Sequence, residues 1–186
     1  MKLEDATTSE AAAIAALRLN AARELTAKFG RGTWSFAAES EGGVLADIAT
    51  SRVLIARQEG LVVATLRLSR RSPWLFEPSF FTACHRPLYL TSMAVAPKFQ
   101  RQGVGRACLE DAKRIAAGEG VGALRLDAYD AAAGAGEFYR KCGFREVRRS
   151  SYNGTPLIFF EFLLGLEKPP ERRGQPGVAS DRSAIP

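Results

Sequence analysis

The stretch whose reading decides the fold is "YLTSMAVAPKFQRQGVGRACLEDAKRIAAG", Tyr89 to Gly118. It runs from an apolar segment through Pro97 and a basic glycine loop into an amphipathic run. No acidic residue lies between Tyr89 and Leu109, while Lys98, Arg101 and Arg106 surround Gly103 and Gly105. A helix starts with backbone N–H groups that no intrahelical carbonyl satisfies and with a partial positive charge, so its N-terminus receives anions. Glycine lets the backbone approach a ligand and turn where other residues are barred. Two readings of the pair follow: an anion cradle of backbone amides, or a tight turn whose arginines are simply solvated. Beyond the loop, Val104, Cys108, Ala112 and Ile115 fall near one helical face, and Glu110 and Arg114 are expected to make an i,i+4 pair on the polar side. The loop lacks the G-x-x-x-x-G-K-[ST] order of a triphosphate cradle. Nor does it complete G-x-G-x-x-G, since it reads G-V-G-R-A-C.

Working outward, "MKLEDAT" reads as a short strand, and Thr8 or Ser9 caps an Ala-rich helix to about Lys28. "FGRGTW" is a turn, Trp34 and Phe36 are loop anchors, and a short helix covers Val44 to Ile48. "RVLIARQEGLVVATLRLS" is two strands joined at Glu59-Gly60. Arg70 to Pro87, with three prolines and four aromatic residues, is a long loop of the kind that often carries function. A strand over Leu88 to Val95, the helix after the loop, a strand "ALRLDAY", a short helix "AGAGEFYRKC" and a hairpin around Asn153-Gly154 complete the chain. This order predicts a mixed α/β sheet with helices packed on it.

The 186 residues suit one domain, expected over 1–167, with 168–186 a disordered tail rich in Gly and Pro. No apolar run approaches the ~18 residues of a membrane span, and "MKLEDATTSE" is too acidic and polar for a secretory signal. Three scattered cysteines, Cys84, Cys108 and Cys142, and a lone His85 give neither a disulfide framework nor a metal-ligand spacing. These features point to a cytoplasmic protein without a metal. The net charge of +6 suits a small polyanionic ligand. Without a basic stripe interleaved with aromatics, it argues against nucleic acid.

Read together, "Gln100-Arg101-Gln102-Gly103-Val104-Gly105" resembles the Q/R-x-x-G-x-G/A loop of the GNAT superfamily of N-acetyltransferases. "MAVAP" before it looks like that family's fourth strand, and "FYRKCGF", Phe138 to Phe144, is similar to its F-Y-x-x-x-G-F segment. The resemblance implies a GNAT-like α+β fold: a mixed, mostly antiparallel sheet flanked by helices, with splayed fourth and fifth strands. It implies acetyl-CoA as cosubstrate, its pyrophosphate on the amides of Arg101, Gln102, Gly103, Val104, Gly105 and Arg106. Met93, Ala94 and Val95 would pair with the pantetheine arm. Tyr139 matches the tyrosine that protonates the departing thiolate, which a phenol of pKa about 10 can do at neutral pH. The family often carries asparagine seven residues before this tyrosine; here the residue is Ala132.

On the acceptor side, the resemblance implies a small-molecule or peptide amine. Such an amine, with pKa about 10.4, must lose a proton before it attacks. The fourth strand holds no carboxylate, which leaves Glu77 on the long loop as a candidate base and Tyr89 or Ser92 as candidates to position a water. Each has an ordinary alternative, as a solvated acid or a strand side chain. The loop aromatics Trp34, Phe36, Trp74, Phe76, Phe80 and Phe81 either close over the acceptor or fill the core. A non-catalytic CoA-binding or interaction module of the same fold is the alternative to an enzyme. An edge strand could pair two copies into a homodimer.

Overall fold

The computed structural model describes residues 1–36, 40–75 and 79–165. Glu77, Phe76 and the expected tail over 168–186 lie outside them. The described residues include seven strands: β1 Leu3–Asp5, β2 Arg52–Gln58, β3 Leu61–Ser69, β4 Leu88–Val95, β5 Ala123–Tyr129, β6 Arg145–Tyr152 and β7 Thr155–Leu163. Among the described residues four α-helices join them: α1 Ala11–Phe29, α2 Glu41–Thr50, α3 Val104–Gly118 and α4 Gly136–Lys141. The strands form one sheet in the order β1-β2-β3-β4-β5-β7-β6. Every pairing is antiparallel except β4 with β5.

Alternation along the strands gives the sheet two buried faces. Leu54 and Ala56 of β2, with Leu124, Leu126 and Ala128 of β5, join Cys108, Leu109 and Ala112 of α3 and Tyr139 of α4 in the main core. Val53 and Ile55 point the other way, onto Ile14 of α1 and Val44 of α2. Further along that second face, Trp74, Phe81, Tyr89, Leu157 and Phe159 form an aromatic cluster. Trp74 stands edge-on to Tyr89 at 5.6 Å and lies 5.2 Å from Phe159, centroid to centroid.

Two local expectations need correction. Neither Thr8 nor Ser9 caps α1: its N-cap is Glu10, and the one-turn 3-10 segment before it, Thr8–Glu10, is capped by Thr7 in a capping box with Glu10. On α3, Glu110 and Arg114 do not pair. Glu110 binds Lys113 at 2.8 Å and Arg114 binds Asp111 at 2.5 Å, both across i,i+3. The reason is Asp111, almost fully buried, which accepts the Leu3 amide at 2.5 Å and anchors β1 to the helix.

The long connection between β3 and β4 is tied down by a buried carboxylate. Glu161 of β7, only 1% exposed, accepts from the Thr82 amide at 3.0 Å and its hydroxyl at 2.6 Å, and pairs with Arg145 of β6. Burial alone would raise its pKa, but the Thr82 and Arg145 bonds outweigh that and hold it below the usual glutamate value. Its stabilising effect is therefore present above the unfolded-state pKa, about 4.3, and is lost as pH falls through the lower folded-state value. Glu161→Gln is expected to cost roughly 2 kcal/mol at pH 7. In urea titrations at several pH values, the gap from wild type should shrink as pH drops below about 4.

Candidate functional site

The parallel pairing of β4 with β5 lasts for two residues, Leu88 with Leu124 and Tyr89 with Arg125, and then stops. Beyond it β4 stays on β3, but with an extra residue: Thr65 pairs with Ala94 while Arg67 pairs with Thr91. Ser92 takes φ +50 within this bulge. A bulge bends its strand and increases its twist, so the segment from Leu90 to Val95 diverges from β5 and leaves a gap through the sheet. The splayed strands expected from the sequence are thus present.

On the α3 side of the gap lies a cavity of about 720 Å³. Met93, Ala94 and Val95 form one wall, and Arg101, Gly103, Gly105 and Arg106 form its rim. Phe138, Tyr139 and Lys141 of α4 close it opposite. Three of these lining residues are cations and none is acidic. Gln100, which also lines the cavity, donates to the Val95 carbonyl at 2.9 Å, and Gln102 donates to the Lys98 carbonyl at 2.7 Å, so both glutamines brace the turn. Gly103, at φ +83, is the N-cap of α3, and no side chain caps the helix there. Gly105 is closely packed: a Cβ on it would sit 3.1 Å from the Phe138 ring, which would have to give way by a few tenths of an ångström. The uncapped start of α3 and the rim cations thus lie on one cavity. Val104 supplies a first-turn amide, while its side chain is in the core.

A second cavity, about 310 Å³, opens on the α1 side of the same gap. Leu25 of α1, Thr91 and Ser92 of β4, and Asp127 and Tyr129 of β5 line it. The two cavities share Met93, Ala135 and Tyr139. Tyr139 is 7% exposed, and its hydroxyl lies 3.9 Å from the Met93 sulfur. Burial first, and then the charge of Asp127, push the phenol well above the usual tyrosine value. A phenol held in this way is protonated at neutral pH and presents its O–H as a hydrogen-bond donor to charge developing beside it.

Asp127 is the residue that sequence reasoning missed. Arg125, Asp127 and Tyr129 face away from the core formed by Leu124, Leu126 and Ala128, which places the carboxylate on the second cavity. Burial raises its pKa above the ordinary aspartate value, although the Trp74 indole donates to it at 3.1 Å and acts in the opposite direction. The signal in the sequence was an acid alternating with apolar residues on a central strand, "ALRLDAY". Of the other acceptor-side candidates, Ser92 lines the cavity, whereas Tyr89 is packed inside the aromatic cluster. Trp74 and Phe81 are cluster residues too, so these loop aromatics fill a core, while Trp34 rests against Tyr129 at 5.7 Å. Ala132 is exposed on the turn after β5.

The geometry agrees with comparisons to known proteins. No curated protein matches the chain in sequence. Among solved structures, the GCN5-related N-acetyltransferase of Rhodopseudomonas palustris superposes with a TM-score of 0.65 at 23% identity, over 87% of this chain and 94% of its own. The ribosomal-protein-alanine N-acetyltransferase of Brucella melitensis gives 0.66 at 19%, over 88% and 100%. The putative acetyltransferase yncA of Salmonella typhimurium, solved with acetyl-CoA, gives 0.65 at 16%, over 92% and 98%. At these identities the likeness is one of fold. The model of the acetyltransferase (GNAT) family matches residues 19–144, which include the glycine loop, both splayed strands and the F-Y-x-x-x-G-F segment. The chain belongs to the GNAT family of acetyltransferases.

Proposed function

We propose that this protein transfers the acetyl group of acetyl-CoA directly to an amine, the two substrates approaching through opposite faces of the sheet. The observation that carries this reading is the meeting of the two cavities at Met93, Ala135 and Tyr139. The larger one suits the donor: its cations and the amides from Arg101 to Arg106 match a diphosphate, and the β4 backbone from Met93 to Val95 has an edge free of β5 for the pantetheine amides. The smaller one suits the acceptor. The neutral amine nitrogen bonds to the thioester carbon, Asp127 takes the proton that the new C–N bond makes acidic, and the C–S bond breaks. Tyr139 gives its proton to the departing sulfur. Both groups then return to their starting states by exchange with water.

The pKa directions fit these roles. Activity needs Asp127 ionised, so kcat/KM falls as pH drops through its raised pKa, and this acid limb lies above the ordinary aspartate value of about 3.9. Tyr139 stays protonated beyond pH 10 and adds no alkaline limb below it. Protonation of the amine itself already lowers kcat/KM as pH falls, so Asp127→Asn should remove only the added fall below the raised Asp127 pKa and leave the slope set by the amine. The same variant tests the cost of burying the charge. Because the folded state binds this proton more tightly than the unfolded one, wild type loses stability as pH rises through the raised pKa. Asp127→Asn should therefore melt higher than wild type at pH 7, with the difference vanishing below about pH 3.9.

Tyr139→Phe should lower kcat on the order of 10²-fold and leave acetyl-CoA affinity nearly intact; undiminished turnover removes it as the acid. For the donor, acetyl-CoA at about 100 times its Kd should stabilise the protein by about 2.7 kcal/mol, and Gly103→Glu should abolish the shift. Each protein is compared with its own ligand-free Tm, because a side chain at φ +83 itself costs roughly 1–2 kcal/mol. A thermal shift with no thiol released by any amine would instead identify a CoA-binding module without catalysis, the reading that Ala132 favours.

A further inference from the structure

Next to the acceptor cavity is a third one, about 200 Å³, of opposite electrostatic character. Among the described residues, Arg67, Arg71, Ser69, Ser72, Thr50, Thr91 and Pro73 line it, and none is an acid. Thr91 belongs to both cavities, so they adjoin across this one β4 side chain. The Thr91 hydroxyl is buried and has no hydrogen-bond partner among the described residues. A buried hydroxyl without a partner costs stability, which makes this atom a place where a ligand oxygen or ammonium would be welcome.

The two arginines are not equivalent. Arg67 is already engaged, by Asp47 at 3.1 Å and by the Ser51 hydroxyl at 2.7 Å. Its neighbour Arg70 is held by Glu119 at 2.8 Å. Arg71 is exposed and its guanidinium has no carboxylate partner among the described residues. Its backbone amide, bonded to the Ser69 hydroxyl at 3.0 Å, fixes where the side chain starts. A guanidinium in this setting is a fork for a carboxylate or a phosphonate. On the other side of Thr91, Asp127 offers a carboxylate to an ammonium.

We propose that the acceptor is a small zwitterion, an amino acid or a close analogue, whose amine lies at Asp127 and whose anionic group reaches past Thr91 to Arg71. This rests on the acetyl-transfer reading above and narrows it. A plain amine would leave Arg71 and Thr91 unused. The amino end of a protein chain would bring an amide where the arginine waits for an anion.

The test is thiol release from acetyl-CoA with matched sets: leucine, leucinamide and isopentylamine, and likewise phenylalanine, phenylalaninamide and phenethylamine. Each rate is referred to the neutral fraction of its own amine. The acids should exceed the amides and plain amines in kcat/KM by at least tenfold. Arg71→Ala should erase the preference, lowering kcat/KM for the acid at least tenfold more than for its amide, chiefly through KM, and Arg71→Lys should restore part of it. Amides or plain amines turned over as well as the acids, or an Arg71→Ala loss equal for both, overturns the proposal. So does a protein stabilised by acetyl-CoA that acetylates no member of either set. The absence of any acetyl-CoA stabilisation is a different failure, because it removes the transfer reading beneath.

Discussion

The parting of β4 from β5 is the constraint on which the rest of the structure depends. Neither strand is short of a partner: β4 is held by β3 and β5 is paired with β7 along its full length, Ala123 to Tyr129. The gap between them is therefore a rigid feature bounded by two ladders. The cost is a set of β4 backbone groups left without a strand neighbour beyond Tyr89. Buried amides and carbonyls need partners, so a gap of this kind persists only where solvent or a ligand reaches it. The bulge at Ser92 keeps the strands apart, and the αL conformation there is the local strain that the divergence entails.

Once the gap exists, the two sheet faces impose different chemistry on its two mouths. On one face, α3 begins beside the opening and turns its N-terminal amides and nearby arginines toward it. On the other, a strand residue that alternation directs away from the core places a carboxylate. The phenol of Tyr139 stands between, buried by Phe144 and Phe160 at 5.8 and 5.9 Å, centroid to centroid. The field of Asp127 reaches this phenol and helps to keep it protonated. A carboxylate that holds a neighbouring acid in its protonated form is useful in any reaction in which one group must accept a proton while the other gives one.

Much of this was legible in the sequence because it rests on local rules. The Glu59-Gly60 and Asn153-Gly154 turns, the helix after Gly103 and the strand over Leu88 to Val95 are set by residues close together in the chain. The glycine loop could be recognised because Gly103 answers a backbone requirement and Gly105 sits close against Phe138. Asp127 escaped notice because its role depends on which face of β5 it occupies and on an indole 53 positions away in the chain. The arrangement of ions on α3 was misread for a related reason. Helical spacing allowed Glu110 with Arg114, but Asp111 had been drawn into the core by a bond to the amide of Leu3. The place of Trp74 likewise follows from contacts with Tyr89 and Phe159 on two different strands.

The sheet ends at β1 on one side and β6 on the other, and the two margins are treated differently. β1 is three residues long, and its Glu4 and Asp5 are occupied by Arg57 and Arg52 of β2. β6 is eight residues long and mostly exposed, a length at which an open row of amides and carbonyls invites a foreign strand. It carries Arg145, Arg148 and Arg149. Glu161 sits beneath Arg145, while Glu146 and Asp130 bind Arg149 at 2.8 Å each. A second β6 brought alongside would have to disturb those pairs, so the charged side chains oppose growth of the sheet at the longer of its two margins among the described residues. The same residues that secure the last hairpin thus also limit how the molecule can polymerise when crowded or heated.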